Sequence, residues 1–249
     1  MVSGLACSLA LLGCAVPTGT GSVADKAQVL DAPHAFRTWT PADQQRWSPV
    51  VFPGKQRTSY QLTQHDMRSG TQADAHSAVS MLRQSVHVPP EQLGTFKFSW
   101  HVPALIEGAD MGQRDADDSP VRVVLAFEGD RSQFSARNAM LNELSRALTG
   151  EEMPYATLMY VWCNHRPVGS VIANPRTDRI QKIVVESGPR QLMRWQDYER
   201  NIRADFEKAF GEPPGALVAI GLMTDSDNTR SSARAWYGDV QLVRPLPPP

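Results

Sequence analysis

The feature that most constrains this chain is the recurrence of an apolar residue at every second position over short stretches. Phe96, Phe98, Trp100 and Val102 alternate with Thr95, Lys97, Ser99 and His101. Successive side chains of a strand point to opposite faces, so this pattern predicts a strand buried on one face only. A second set, Val121, Val123, Leu125 and Phe127, has Arg122, Val124 and Ala126 opposite it. Further runs of strand length occupy residues 79–88, 157–163, 168–173, 180–186, 216–224 and 235–243. Nineteen prolines and seventeen glycines are spread along the chain and supply the turns between them. Eight or more such segments point to a sandwich or jelly roll.

Two segments carry helical spacing instead. In the first, Ser135 can cap the N-terminus, Met140, Leu141, Leu144 and Leu148 form one stripe, and Gly150 stands where a left-handed C′ residue belongs. In the second, Tyr198, Ile202, Phe206, Ala209 and Phe210 run from an Asp197 cap to Gly211. These helices do not alternate regularly with strands as in a parallel α/β fold. The expected fold is therefore all-β: an antiparallel β-sandwich or jelly roll with two α-helices packed on it.

The N-terminus reads separately. Residues 1–13 are small and apolar and lead to Cys14, and the run is far shorter than the roughly 20 residues of a membrane-spanning helix. Leu11, Leu12, Gly13 and Cys14 look like a lipobox, in which the Cys14 thiol takes the lipid. No Lys or Arg precedes the run, a departure from the usual signal pattern. The expected organisation is a signal peptide at 1–13, lipidated Cys14 with a flexible tether to 33, one β-sandwich domain at 34–245 and a Pro-rich tail at 246–249. Ala15, rather than Asp, follows the cysteine, which favours a lipid anchor in the outer membrane facing the periplasm, with no other membrane contact. Cys7 then leaves with the signal and Cys14 is alkylated, so no intramolecular disulfide is expected. Cys163 lies in an apolar run, where a buried, inert thiol is the expectation.

Composition narrows the partners. With 41% hydrophobic and 20% charged residues and a net charge of -1, the chain can build a core and has no pull on a polyanion, so nucleic acid is not an expected ligand. Phosphate-binding Gly-rich loops, the Gly-x-Ser-x-Gly elbow, His-Glu-x-x-His and paired zinc cysteines do not occur. The six histidines show no ligand spacing, and His101, on the polar face of its strand, is expected to be solvated. No catalytic residue is assigned.

The densest polar feature is a pair of acidic loops. Glu107, Asp110, Asp115, Asp117 and Asp118 precede the strand containing Arg122, while Asp225, Asp227 and Asn228 follow the strand ending near Thr224. Clustered oxygens suit Ca²⁺, with Asp225 and Asp227 as candidate ligands, although Arg230 stands where an EF-hand needs Gly. The competing reading is that these Asp and Asn side chains cap turns. Asp118 with Asp225 or Asp227 would also make a carboxylate pair for glycoside hydrolysis, if the loops meet. Trp39 and Trp47 can stack on a sugar or cover the edge of a core, Trp100 and Trp162 lie in core registers, and Trp236 is undecided.

Several strings taken together carry a family resemblance: 52–60 (FPGKQRTSY), 117–127 (DDSPVRVVLAF), 155–162 (YATLMYVW), 183–188 (IVVESG), 210–215 (FGEPPG), 219–229 (AIGLMTDSDNT) and 237–239 (YGD), with Arg200, Asn201 and Asp205. The chain resembles the bacterial domain of unknown function thirty-forty-seven over nearly all of residues 36–244. The resemblance implies a jelly-roll sandwich akin to galactose-binding-like domains and places Asp117, Asp118, Arg122, Asp225, Asp227 and Asn228 in the characteristic motifs. It implies no activity, and Cys163 and Met67 fall outside those motifs.

The leading expectation is a non-catalytic envelope domain that binds a saccharide or similar polar ligand through these six residues, with calcium as the one cofactor considered. The alternatives are a carbohydrate-active hydrolase or lyase and a purely structural lipoprotein. The first requires the acidic loops to converge beside an open concave surface, the second a deep cleft with a carboxylate pair, the third buried Asp-Arg networks without a pocket.

Overall fold

The computed structural model describes the backbone of residues 36–39 and all of residues 46–243. The expected signal peptide, Cys14, the tether and the Pro-rich tail lie outside the described residues. In chain order the strands are β1 (Phe36–Trp39), β2 (Ser48–Val51), β3 (Ser59–His65), β4 (Arg68–His76), β5 (Val79–Val88), β6 (Thr95–His101), β7 (Ser119–Phe127), β8 (Ala156–Cys163), β9 (Val171–Ala173), β10 (Ile180–Ser187), β11 (Trp195–Asn201), β12 (Leu217–Asp225), β13 (Ser232–Tyr237) and β14 (Val240–Val243). Helix α1 (Ala136–Thr149) follows β7, and α2 (Ile202–Phe210) follows β11.

The strands form a β-sandwich of two sheets. In sheet A, β6 pairs along one edge with β11 and along the other with β14 and then β13; β14 continues to β1, and β13 to β4 and β3. Sheet B runs β2-β5-β12-β7-β8-β10-β9. Every pairing between named strands is antiparallel except β8 with β10, which is parallel, a correction to the wholly antiparallel expectation. Its cause is β9: this short strand reverses the chain but pairs on the far side of β10 rather than between β8 and β10.

The alternation does what it predicts. Phe96, Phe98 and Trp100 of sheet A face Val121, Val123, Leu125, Phe127, Leu158 and Tyr160 of sheet B in one buried cluster. Trp47, Trp100 and Trp162 belong to the same cluster, so Trp47 covers core rather than offering a sugar platform. Cys163 is buried and free, in a smaller cluster with Met111, Val161, Ile172 and Val184 against the outer face of sheet B.

Helix α2 buries the expected Ile202 and Phe206 but starts later than expected, and α1 turns its expected face outward. The N-cap of α2 is Asn201, whose side chain accepts from Ala204 N, because residues 195–201 are claimed by β11. In α1, capped by Ser135 as expected, the apolar stripe points outward: Met140, Leu144 and Leu148 are 63%, 50% and 60% exposed. The inward side is set by two asparagines instead. Asn138 Nδ2 donates to Asp178 and Asn138 Oδ1 accepts from Thr177 Oγ1, while Asn142 Oδ1 accepts from Met153 N. Buried hydrogen bonds with defined partners outrank an apolar stripe here, since leaving those loop groups unpaired is costly. Among the described residues no helix is long and apolar enough to cross a membrane.

Candidate functional site

The outer face of sheet B floors a groove of about 880 Å³. Its floor is made of outward-facing residues of four neighbouring strands: Met81 of β5, Gly221 and Met223 of β12, Val124 and Ala126 of β7, and Met159 of β8. Gly221 keeps that floor low, because a Cβ there would lie 2.4 Å from Met81 Sδ and 3.2 Å from Val124 Cβ. Phe52 and the residues of β2 line one flank. The far end carries Arg131, Glu152 and the Arg83–Glu151 pair, joined at 2.6 and 2.9 Å.

The other end is built from charge. The pairing of β12 with β7 slips between Met223 and Asp225, beside Pro120, which has no N–H to give to a ladder. That irregularity brings the Asp225 carboxylate to the start of β7. Asp225 Oδ1 accepts from Ser119 N and Arg122 Nε, both at 3.0 Å, and Oδ2 from Arg122 Nη2 at 2.9 Å. Arg122 Nη2 also donates to Asp117, at 2.8 Å to its carbonyl and 3.0 Å to Oδ1. Lys182, fully buried in β10, completes the chain: its Nζ donates to both Asp117 oxygens at 2.8 and 2.7 Å and to Met111 O at 2.9 Å.

Burial opposes every charge in this network, and the partners decide the outcome. It raises Asp225 to about 6 despite Arg122. It works against ionised Asp117 too, but Arg122 and Lys182 outweigh it and hold that carboxyl below the usual range. Lys182 is lowered to about 8 by burial and by the neighbouring Arg122 cation, with Asp117 opposing. Arg122 is desolvated as well, yet Asp225 and Asp117 hold it more firmly cationic than usual.

The structure brings the six residues singled out in the sequence into one neighbourhood. Asp117, Arg122, Asp225, Asp227 and Asn228 line the groove. Asp118 lies beneath them, 1% exposed, and its oxygens accept from Asn228 N and Nδ2 and from Thr229 N and Oγ1 at 2.6–3.2 Å. Four donors saturate a carboxylate, so Asp118 ties the loop after β12 to the start of β7 and has no lone pair left for a ligand. Asp227 is paired with Lys55. Oxygens of Asp118, Asp225 and Asp227 lie within 4.8 Å of one another, close enough for one metal ion, but Asp118 is already saturated by its four donors. Their donors already supply the compensating charge, with Arg122 on Asp225 and Lys55 on Asp227. Of the other acids, Asp110 pairs with Arg166, and Glu107 and Asp115 are exposed.

Lys182, Lys55 and the three floor methionines were not singled out. Lys182 carried a signal, a lone cation next to the apolar run Ile183–Val184–Val185, which in a buried register demands a carboxylate partner. His101 is the clearest correction: it is 2% exposed, not solvated. It does alternate outward, but Trp195 and Trp236 from the adjacent β11 and β13, with His65 from β3, close over it. Trp236 is undecided no longer, being 8% exposed and stacked on His65. None of these tryptophans lines the groove.

The model of the family described as Protein of unknown function (DUF3047) matches residues 45–241. No curated protein matches in sequence. Among solved structures, the family 11 carbohydrate-binding module of the cellulosomal cellulase Lic26A-Cel5E of Clostridium thermocellum is similar at 10% identity and a TM-score of 0.39, over 82% of this chain and 90% of that one. The xyloglucanase domain of NopAA, a type three effector from Sinorhizobium fredii, is similar at 8% identity and a TM-score of 0.43, over 86% of this chain and 99% of that one.

Proposed function

We propose that this chain, which belongs to the DUF3047 family of proteins of unknown function, is a binding domain that takes a saccharide or similar polar ligand in the groove of sheet B. One observation carries the reading: a groove of about 880 Å³ with an apolar floor ends at the converged Asp117, Arg122, Asp225, Asp227 and Asn228. An apolar floor with a few placed polar groups is the usual construction of a small-molecule site. Here the methionines would lie against the apolar face of a sugar ring, and their flexible thioethers adapt to its shape. Asn228 and the half-buried Asp227, paired with Lys55, would meet its hydroxyls.

Asp225, raised to about 6, is the carboxylate among the described residues with the character of a general acid, and it favours a second reading as a glycoside hydrolase or lyase. Both its oxygens are occupied by Arg122 and Ser119, which leaves it poorly placed to protonate a leaving group. Binding without turnover is the proposal.

A glycan array tests it. The wild type is expected to retain at least one glycan, and Gly221→Leu, which raises the floor, to bind it at least tenfold more weakly, about 1.4 kcal/mol, with an unchanged circular dichroism spectrum. Silence on every glycan removes the saccharide reading, and release of reducing ends would favour the hydrolase. Calcium enters only through the three carboxylates, so binding that withstands a chelator removes it from the proposal.

The envelope location is proposed on Leu11–Cys14 for lipidation of Cys14 and on Ala15 for the outer membrane, with the domain facing the periplasm. A fatty-acid analogue should label the wild type, and label retained by Cys14→Ser refutes the anchor.

A further inference from the structure

We propose a second site, on the outer face of sheet A: His65, Asp66 and His101 bind a divalent transition-metal ion of the zinc class. Three donor atoms converge there. His65 Nε2 lies 3.4 Å from His101 Nε2, and Asp66 Oδ2 lies 3.7 Å from the first and 3.4 Å from the second. A tetrahedral ion with bonds of about 2.0–2.1 Å holds any two of its ligand atoms about 3.3–3.4 Å apart. The three atoms thus outline one face of such a tetrahedron. Two imidazoles and one carboxylate match zinc and its neighbours in the transition series, not calcium or magnesium, which prefer oxygen alone.

The donors are also held in place. The His65 ring stacks on Trp236 at 3.7 Å and 6° between planes, and Trp195 Nε1 donates to the His65 carbonyl at 3.1 Å. His101 meets Trp236 edge-on at 5.2 Å and Trp195 at 6.0 Å, and is 2% exposed. Asp66 is delivered by the two-residue turn between β3 and β4, where Asp66 and Met67 both adopt left-handed backbone, with φ of 46° and 62°. Such turns favour Asn or Asp at the first position and Gly at the second, so Asp66 suits its place and Met67 is the unusual residue there.

The nearby cation does not serve this cluster. Arg68 is turned away, with Nη1 and Nη2 on Asp197 at 2.8 and 3.2 Å and its guanidinium over the Trp195 ring. Two imidazole nitrogens, each donor or acceptor according to its tautomer, and one carboxylate oxygen thus face one another while Arg68 is engaged elsewhere. The Asp66 side chain is 59% exposed, so the fourth coordination position opens to solvent for water or an external ligand.

The competing account is a plain hydrogen bond between the two imidazoles, and metal titration separates the two. Protein stripped with chelator and titrated with Zn²⁺ by calorimetry is expected to bind one equivalent with micromolar or tighter affinity. Co²⁺ in its place should give the intense visible absorption of a tetrahedral site. His65→Ala and Asp66→Asn, both at the accessible side of the cluster, should fold as the wild type and bind Zn²⁺ at least tenfold more weakly, and His101→Gln should abolish the Co²⁺ spectrum. No uptake of one equivalent, or unchanged affinity in His65→Ala and Asp66→Asn, overturns the proposal; in the latter case the metal sits on other surface histidines. Gly221→Leu should bind Zn²⁺ as the wild type does, so failure of the groove reading and failure of this one can be told apart.

Discussion

Arg122→Ala is expected to cost about 3–5 kcal/mol of stability and to lower Tm by roughly 6–20 °C, because truncation strands two buried carboxylates. The ion pairs themselves need not be net stabilising, since desolvating three buried charged groups offsets much of their attraction. What makes the substitution expensive is the state left behind: Asp225 keeps only Ser119 N, and Asp117 keeps only Lys182 and a long contact from Asn174. Replacing Arg122 and Asp225 together, as Arg122→Met with Asp225→Leu, should therefore lose less than Arg122→Ala alone. Urea unfolding measures both, and a loss below about 1 kcal/mol for Arg122→Ala would sink the argument. Acid titration gives a second reading. Asp117 has a depressed folded pKa, so its stabilisation is complete above the unfolded value near 3.9 and disappears as pH falls through the folded value. Asp225, raised to about 6, has the opposite sign: between about pH 4 and 6 its contribution declines as pH rises. In Arg122→Ala the acid-side loss from Asp117 should shrink, because the main positive partner that depresses it is gone.

The location of this network was legible in part. Asp117 and Asp118 stand just before one strand and Asp225 to Asn228 just after another, which the sequence displays directly. That those strands, β7 and β12, are antiparallel neighbours is a fact of long-range pairing, and periodicity says nothing about which strand lies beside which. The groove floor was hidden for a related reason. Met81, Met159 and Met223 lie in apolar runs of strand length that do not show which face is outward, and here they face outward from the sheet. Strands β3 and β4 gave little apolar alternation: SYQLTQH and RSGTQADAH are largely polar, because one face is solvated and the other is filled by Tyr60, Thr71, Ala73 and Ala75. With those strands unread, His65 could not be placed beside His101, thirty-six residues away, and six histidines looked scattered. The stripe of α1 was a true helical signal attached to the wrong face, since hydrogen bonds of Asn138 and Asn142 fix the rotation of that helix and spacing alone does not.

Phe98→Ala, in contrast, tests the part of the fold that alternation did reveal, and a loss of about 3–5 kcal/mol is expected. Phe98 projects inward from β6 into the space between the sheets, 3% exposed. Its ring lies 5.3 Å from Tyr160 of sheet B, 13° from parallel, and 5.2 Å from Tyr198, with Trp100 at 5.1 Å and Phe96 at 5.9 Å. Removing it opens a cavity that neighbours of this size cannot refill, because Tyr160 is anchored through its hydroxyl to Asp205 at 2.9 Å, and Asp205 in turn to Arg200. Each lost aromatic pair adds about 0.5–1.5 kcal/mol to the area term. Phe98→Leu keeps most of the volume and should cost less than about 1.5 kcal/mol, with the m-value unchanged in both variants. Equal losses for Leu and Ala would mean that ring geometry rather than filled volume holds the sheets together, and a small loss for both would mean that the rings do not bridge them. Cys163, the one free cysteine among the described residues, forms no cross-link, so the contact between the sheets rests on packing of this kind.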